Sequence, residues 1–219
     1  MYQTILFDLD GTLTDPGVGI TNSVAYALEK YDIHIEDKTT LYPFIGPPLS
    51  DSFVKYYGFS QEQSTKAIEY YREYFRPKGI YENEIYDGVR EMLSELKKAG
   101  KTIVLATSKP EEFAKEILKY FEIDKYFDFV AGASMDETRN KKVEVIAYAL
   151  ENCMTKELSK IVMIGDREYD ILGAEQIGID SIGVLYGYGT YEELKSAGAT
   201  YIVGKMEELI SLIMEENVR

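Results

Sequence analysis

The sequence predicts an α/β protein, a doubly wound parallel sheet with a helical segment inserted after its first strand. Three observations predict it. Short apolar runs rich in Ile and Val end at Gly, Asp, Thr or Ser, which suits strands buried on both faces. Stretches of helical periodicity alternate with these runs from about Asp87 onward, as in an open sheet covered on both sides. Between the first two runs, about Pro16 to Asn83 shows helical patterning and no strand-like run.

The first strand is Thr4 to Phe7. The insert opens at Pro16, Gly17 and Gly19 and closes at Pro77, Gly79 and Glu82-Asn83-Glu84. It holds nine Tyr and four Phe, and helix packing accounts for most of them. Val89, Met92, Leu93 and Leu96 form one helix face, closed by Gly100. A strand follows at Thr102 to Ala106. Pro110 suits a first helical position and Glu111-Glu112 a first turn, which puts a helix start just after Thr107. Phe113, Ile117, Leu118 and Phe121 mark that helix, and Phe127 to Ala131 the next strand. Val143, Ile146, Ala147 and Leu150 mark a further helix, before strands at Ile161 to Ile164, Ser181 to Leu185 and Tyr201 to Val203. Leu209, Leu212 and Ile213 mark the last helix. The expected division is a sheet domain of residues 1–15 and 84–219 and a helical domain of residues 16–83 standing over the end of the sheet.

Composition narrows the chemistry. Twenty-four basic against 38 acidic residues give a net charge of −14, which argues against a nucleic acid polymer or an anionic membrane as partner. The single cysteine, Cys153, excludes an internal disulfide and a zinc site built on several thiolates. The single histidine, His34, removes most histidine-based catalysis and multi-histidine metal sites. Catalysis must therefore rest on carboxylates, lysines and hydroxyls. No run reaches the roughly 18 apolar residues of a membrane span, and Asp8 arrives too early for a signal peptide. The expected location is cytoplasmic, and the oligomeric state stays open.

Ligands in doubly wound sheets sit beyond the carboxyl ends of the strands. The first strand runs into Asp8-Leu9-Asp10-Gly11-Thr12, with Asp8 and Asp10 on one side by alternation, although Asp-Gly is equally a turn pair. The second ends in Thr107-Ser108-Lys109-Pro110, where a hydroxyl can bind an anion or simply cap a helix. The fourth ends in Gly165-Asp166-Arg167-Glu168-Tyr169-Asp170. Its two aspartates, four apart, can face one site or compensate a helix dipole. Hard oxygen ligands at two strand ends, without histidine or thiolate, point to Mg2+. Lys141-Lys142 precede a helix, where a cation opposes the dipole unless an anion is near. Lys141 reads as solvated.

Asp8-x-Asp10-Gly11-Thr12, Thr107, the lysine before a helix and Gly165-Asp166-x-x-x-Asp170 resemble, in order, the four motifs of the haloacid dehalogenase-like superfamily. The resemblance covers essentially the whole chain and implies a Rossmann-like core with an inserted α-helical cap. Gly46-Pro47-Pro48-Leu49 and Gly187-Tyr188-Gly189 resemble its phosphoglycolate phosphatase and 5′-nucleotidase-like branch.

The resemblance implies a Mg2+-dependent phosphatase that hydrolyses a small phosphomonoester through an aspartyl phosphate. Asp8 would be the nucleophile and Asp10 the general acid and base. Mg2+ would meet Asp8, the Asp10 main-chain oxygen, Asp166 and, through water, Asp170. Thr107, Ser108 and Lys142, with backbone N–H groups near Leu9 and Asp10, would hold the phosphoryl oxygens, and Gly46 would approach the substrate from the insert. The alternatives are a β-phosphoglucomutase-like phosphomutase and an idle phosphate- or nucleotide-binding module. Asp8 and Asp10 are both present, which weighs against the idle module.

Overall fold

The computed structural model describes residues 1–136, 138–153 and 157–214. The chain divides into two compact units, Met1–Thr14 with Ile85–Arg219, and Asp15–Glu84. β1 is Thr4–Phe7, and β2, Thr14–Asp15, lies where the chain leaves the first unit. The second unit holds α1 (Gly17–Glu29), α2 (Leu49–Tyr57) and α3 (Gln61–Phe75), with short 3-10 turns at Lys38–Phe44 and Gly79–Tyr81. β3, Glu84–Ile85, pairs with β2 at the return. Then follow α4 (Val89–Lys98), β4 (Thr102–Pro110), α5 (Glu111–Tyr120), β5 (Phe129–Ala133), α6 (Lys142–Glu151) and β6 (Ile161–Gly165). The chain continues through α7 (Glu168–Ile177), β7 (Asp180–Val184), α8 (Tyr191–Ser196), β8 (Tyr201–Val203) and α9 (Met206–Met214).

The main sheet is parallel throughout and runs β5-β4-β1-β6-β7-β8. Its strands, counted along the chain, lie in the order 3-2-1-4-5-6, that of a doubly wound sheet whose direction of growth reverses beside β1. Apolar burial explains why these runs became strands. Ile5, Leu6 and Phe7 are all fully buried, because helices cover both faces. Leu6, Val104, Ala106 and Met163 meet Val145, Ile146 and Ala149 of α6 in one core cluster. On α4, Val89, Met92, Leu93 and Leu96 are fully buried, and α4 packs on β4 and α9.

The second unit closes on its own aromatic residues. Phe53 stacks on Phe59 at 5.7 Å and meets Phe44 edge-on at 5.1 Å, while Tyr71 stacks on Phe75 at 5.2 Å. Helix packing thus uses several of the aromatics. Ser60 and Gln63 form a reciprocal capping box at the start of α3.

Three expectations are corrected. β4 does not stop at Ala106. The ladder with β5 shifts register and resumes at Pro110↔Ala133, so Thr107–Lys109 stay extended and α5 starts at Glu111. Pro110 is the residue before that helix, with φ −50° and ψ 130°. Its ring also disfavours a helical Lys109. β5 likewise runs Phe129–Ala133, two residues later than expected. Finally, α6 begins at Lys142 and buries Lys142, Val145, Ile146 and Ala149, a face rotated from the expected Val143, Ile146, Ala147 and Leu150. A buried lysine sets that rotation, as the site below explains. No helix among the described residues is long and apolar enough to cross a membrane.

Leu6→Ala tests the two-sided core. Leu6 is fully buried in the central strand, so its truncation should cost about 2–5 kcal/mol, read as a lower urea midpoint.

Candidate functional site

Strand β1 delivers two carboxylates to one place. The backbone N–H of Asp8 donates to the Ile164 carbonyl (2.9 Å), continuing the ladder one residue past the strand. The chain then turns sharply: the Leu9 carbonyl accepts from Thr12, Leu13 and Thr14 at 3.2, 2.9 and 3.0 Å. Gly11 makes this possible with φ +81°, and a Cβ there would overlap the Asp166 carboxylate. Leu9 itself points into the core.

Asp8, Asp166 and Asp170 are buried, and one carboxylate oxygen of each lies within 4.8 Å of the others. Asp166 follows β6, and its Oδ2 accepts the Tyr188 backbone N–H (2.7 Å). Asp170, in the first turn of α7, accepts the Arg167 N–H with Oδ2 (3.1 Å) and faces Lys142 with Oδ1. It is therefore a helix cap and a site residue at once. Lys142 Nζ lies 2.9 Å from Asp8 Oδ1 and 2.7 Å from Asp170 Oδ1, while its aligned hydrogen bond goes to the Ala106 carbonyl (3.0 Å). The two carboxylates are thus charge neighbours of Lys142 without well-directed hydrogen bonds to it. This is what turns α6: the face holding Lys142 must point at β1 and α7. Lys141, one residue earlier, is exposed.

Asp10 has a separate partner. Lys109 Nζ donates to Asp10 Oδ2 at 2.6 Å, and both side chains are buried. Thr107 is buried as well. Its Oγ1 accepts the Lys109 N–H (3.2 Å), which leaves the hydroxyl proton for another acceptor. Ser108 between them is half-buried. Lys109 was not among the expected site residues. Its signal was present: two residues past Thr107 and held extended by Pro110, it shares Thr107's side of the chain. Gly46 belongs to the second unit, at φ +107°, after the turn Lys38–Phe44, and is not among the residues gathered in the sheet unit.

The electrostatics follow from burial. Burial pushes the Asp166 carboxyl well above the carboxylate range, and the Asp170 and Asp8 charges push it further. Asp170 is raised to about 6, chiefly by burial, with Lys142 opposing the rise and Asp8 adding to it. Burial also raises Asp10, and Lys109 pulls it part of the way back. Burial alone would lower the Lys142 ammonium, but Asp170 and Asp8 together raise it. Tyr186, whose hydroxyl donates to the Thr12 carbonyl (3.3 Å), is raised by burial and then by Asp166.

These residues fit a small divalent cation. Oδ1 of Asp8, of Asp166 and of Asp170 are all buried without a directed hydrogen bond, and those of Asp8 and Asp170 lie beside the Lys142 ammonium. All-oxygen donors of this kind suit a hard cation.

A family model described as haloacid dehalogenase-like hydrolase matches residues 5–184. The chain is 43% identical over 208 residues to a 5′-nucleotidase of Pseudomonas aeruginosa, covering 95% of this chain and 94% of that one. It is 36% identical over 200 residues to the tyrosine-protein kinase PtkA of Mycobacterium tuberculosis, covering 91% of this chain and 68% of that one. Among solved structures, a predicted phosphatase from Clostridium acetobutylicum superposes with a TM-score of 0.95 at 51% identity, covering 98% of this chain and 99% of that one.

Asp170 makes the stability of the metal-free protein depend on pH. A carboxyl raised on folding binds protons more tightly in the native state, so its contribution is full below about pH 4 and is lost as pH rises through about 6. The unfolding free energy of the wild type minus that of Asp170→Asn should fall across this window, by an amount on the order of 3 kcal/mol at most. Urea titrations in chelator at a series of pH values read this difference. A flat difference would contradict the assignment.

Proposed function

The chain belongs to the haloacid dehalogenase-like hydrolases and is a phosphatase of that family, and from this premise we propose how it works and on what. We propose that it hydrolyses a small phosphomonoester, of the nucleoside monophosphate or phosphoglycolate kind, in a Mg2+-dependent reaction with Asp8 as nucleophile. One observation carries the reading. Asp8 stands in a cluster of three buried carboxylates, while Asp10, two residues on, is held apart by its own lysine. Two carboxylates in different surroundings suit two different tasks.

Asp8 attacks phosphorus in line as the bond from phosphorus to the ester oxygen breaks, and the phosphoryl group passes to the Asp8 carboxylate. Asp10 gives a proton to the departing alkoxide. It then takes a proton from the water that attacks the same phosphorus, releasing inorganic phosphate and restoring Asp8. Thr107, Ser108 and Lys142 bind the non-bridging oxygens and offset their growing charge. Lys109 orients Asp10 through the 2.6 Å pair. Asp8, Asp166, the Asp10 main-chain oxygen and, through water, Asp170 would hold Mg2+, which when bound withdraws charge from the phosphoryl oxygens. All these residues lie in the sheet unit, so the phosphoryl chemistry draws on none from Asp15–Glu84. The resemblance of the relative from Pseudomonas aeruginosa, a 5′-nucleotidase, supports a nucleotide as one substrate to test.

Leaving-group chemistry tests the two aspartates. Asp8→Asn should abolish turnover of every ester. Asp10→Asn should lose at least about 10²-fold on alkyl phosphates, whose alkoxide needs the proton. With p-nitrophenyl phosphate the same variant should release one equivalent of nitrophenol and then stall, because its phosphoenzyme lacks a base. Wild-type turnover by Asp8→Asn would overturn the covalent route.

Metal exchange tests the cluster. Chelation should stop hydrolysis, Mg2+ restore it, and Ca2+ substitute poorly, since Ca2+ takes more oxygens in looser geometry. Asp166→Ala should raise the Mg2+ requirement more than Asp170→Ala, because on this reading Asp166 meets the metal directly and Asp170 only through water, its Oδ2 being held by the Arg167 N–H. Full activity after exhaustive chelation, verified by elemental analysis, would overturn the metal's role.

A further inference from the structure

The segment Tyr186–Thr190, between β7 and α8, touches the carboxylate cluster with its backbone. The Tyr188 N–H donates to Asp166 Oδ2 at 2.7 Å, and this is a short bond to a fully buried carboxylate. The two flanking glycines are what bring that N–H so close. A Cβ on Gly187 would overlap both the Gly11 carbonyl and the Asp166 side chain. A Cβ on Gly189 would overlap the Asp166 carbonyl. The approach is thus backbone to backbone on both sides of Tyr188, with no room for a methyl group. Tyr186 ties the segment down at one end, its hydroxyl on the Thr12 carbonyl, and meets Tyr86 edge-on at 5.3 Å. At the other end Glu193 Oε1 accepts from Arg167 Nε (2.8 Å) and from the Glu168 N–H (3.0 Å), joining the start of α8 to the start of α7.

We infer that Gly187-Tyr188-Gly189 is a positioning element for a divalent cation. It engages Oδ2 of Asp166 through one main-chain N–H and so fixes the orientation of that carboxylate, whose Oδ1 has no hydrogen bond, beside Asp8 and Asp170. The inference rests on the metal reading above and adds residues that supply no ligand atom. Its physical content is pre-organisation. A carboxylate clamped by one oxygen needs no reorientation when a cation arrives, and loss of such a partner typically weakens metal binding 10- to 100-fold. The donor is main chain, so the tyrosine ring at 188 is not what matters.

The test is calorimetric titration of the metal-free protein with Mg2+, with folding followed by circular dichroism. Gly187→Ala should weaken binding by about 10- to 100-fold. Tyr188→Pro, which deletes the N–H without adding bulk at Gly187, should do the same. Tyr188→Ala, which keeps the N–H, should bind within about threefold of the wild type. Amide exchange of the wild type needs no variant: the Tyr188 N–H should be protected, and more so with Mg2+. Unchanged affinity in folded Gly187→Ala or Tyr188→Pro overturns the inference while leaving the metal site in place. So does an equal loss in Tyr188→Ala, or a Tyr188 amide that exchanges as fast as an open loop. If the wild type binds no Mg2+ at all, the metal reading itself fails and takes the inference with it.

Discussion

Four buried aspartates share one end of a sheet with two buried lysines, and the rest of the fold is arranged around that imbalance. Asp8, Asp10, Asp166 and Asp170 carry four negative charges when ionised, and Lys109 and Lys142 return two. Two charges remain uncompensated inside the protein. Oxygens within 4.8 Å of one another repel by about 3 kcal/mol or more per ionised pair at an effective dielectric near 20. Only protons or a cation can relieve this. The raised carboxyls of Asp166 and Asp170 are the first response, and the proposed Mg2+, with two positive charges, is the second. The same charges whose mutual repulsion is costly are those that would make a divalent cation favourable there.

The sheet order explains how these residues meet although they are far apart in sequence. The sheet grows from β1 to β4 and β5 on one side, then starts again at β6 on the other. The ends of β1 and β6 therefore diverge into different connections and leave a crevice between them. Asp8 and Asp166 stand at those two ends. The end of β4 provides Thr107 and Lys109 from the other side of β1. Lys142 comes from α6, which packs on β4 and against α7. Asp8 and Asp166 stand directly after the strands β1 and β6, Lys142 and Asp170 stand in the helices α6 and α7, and the Tyr186–Thr190 segment approaches the cluster as loop.

Much of this was legible before the structure because it depends on local patterning. The runs Thr4–Phe7 and Tyr201–Val203 are strands with the bounds their apolar residues predict, and the α4 face is buried as its periodicity requires. Asp8 and Asp166 stand out because each is a carboxylate directly after an apolar strand, and Asp10 and Asp170 follow them at two and four residues. What escaped was set by tertiary contact. Pro110 and the two glutamates after it look like a helix start, and the resumed ladder with β5, together with the Pro110 ring, keeps Lys109 extended and aimed at Asp10. The turn of α6 followed apolar spacing on paper, whereas the folded helix turns to bury Lys142. Gly187-Tyr188-Gly189 carries no charged or nucleophilic group, so a backbone donor was invisible in it.

Net charge has little say in how such a site meets an anionic substrate. At −14 the whole molecule repels a phosphoester at long range, but that field is screened within about a Debye length, some 8–10 Å at moderate salt. What acts at contact is the crevice, and there both lysines already have carboxylate partners. On the proposed reading, a phosphoryl group cannot gain Lys142 unless Asp8 and Asp170 release part of their hold on it. A cation among those same aspartates provides that release, because it takes over the charge that Lys142 was balancing. Metal and substrate affinities then rise together, since each binds more favourably to the site the other has prepared. On the same reading, the excess of buried negative charge withholds Lys142 from stray anions until the cation is present.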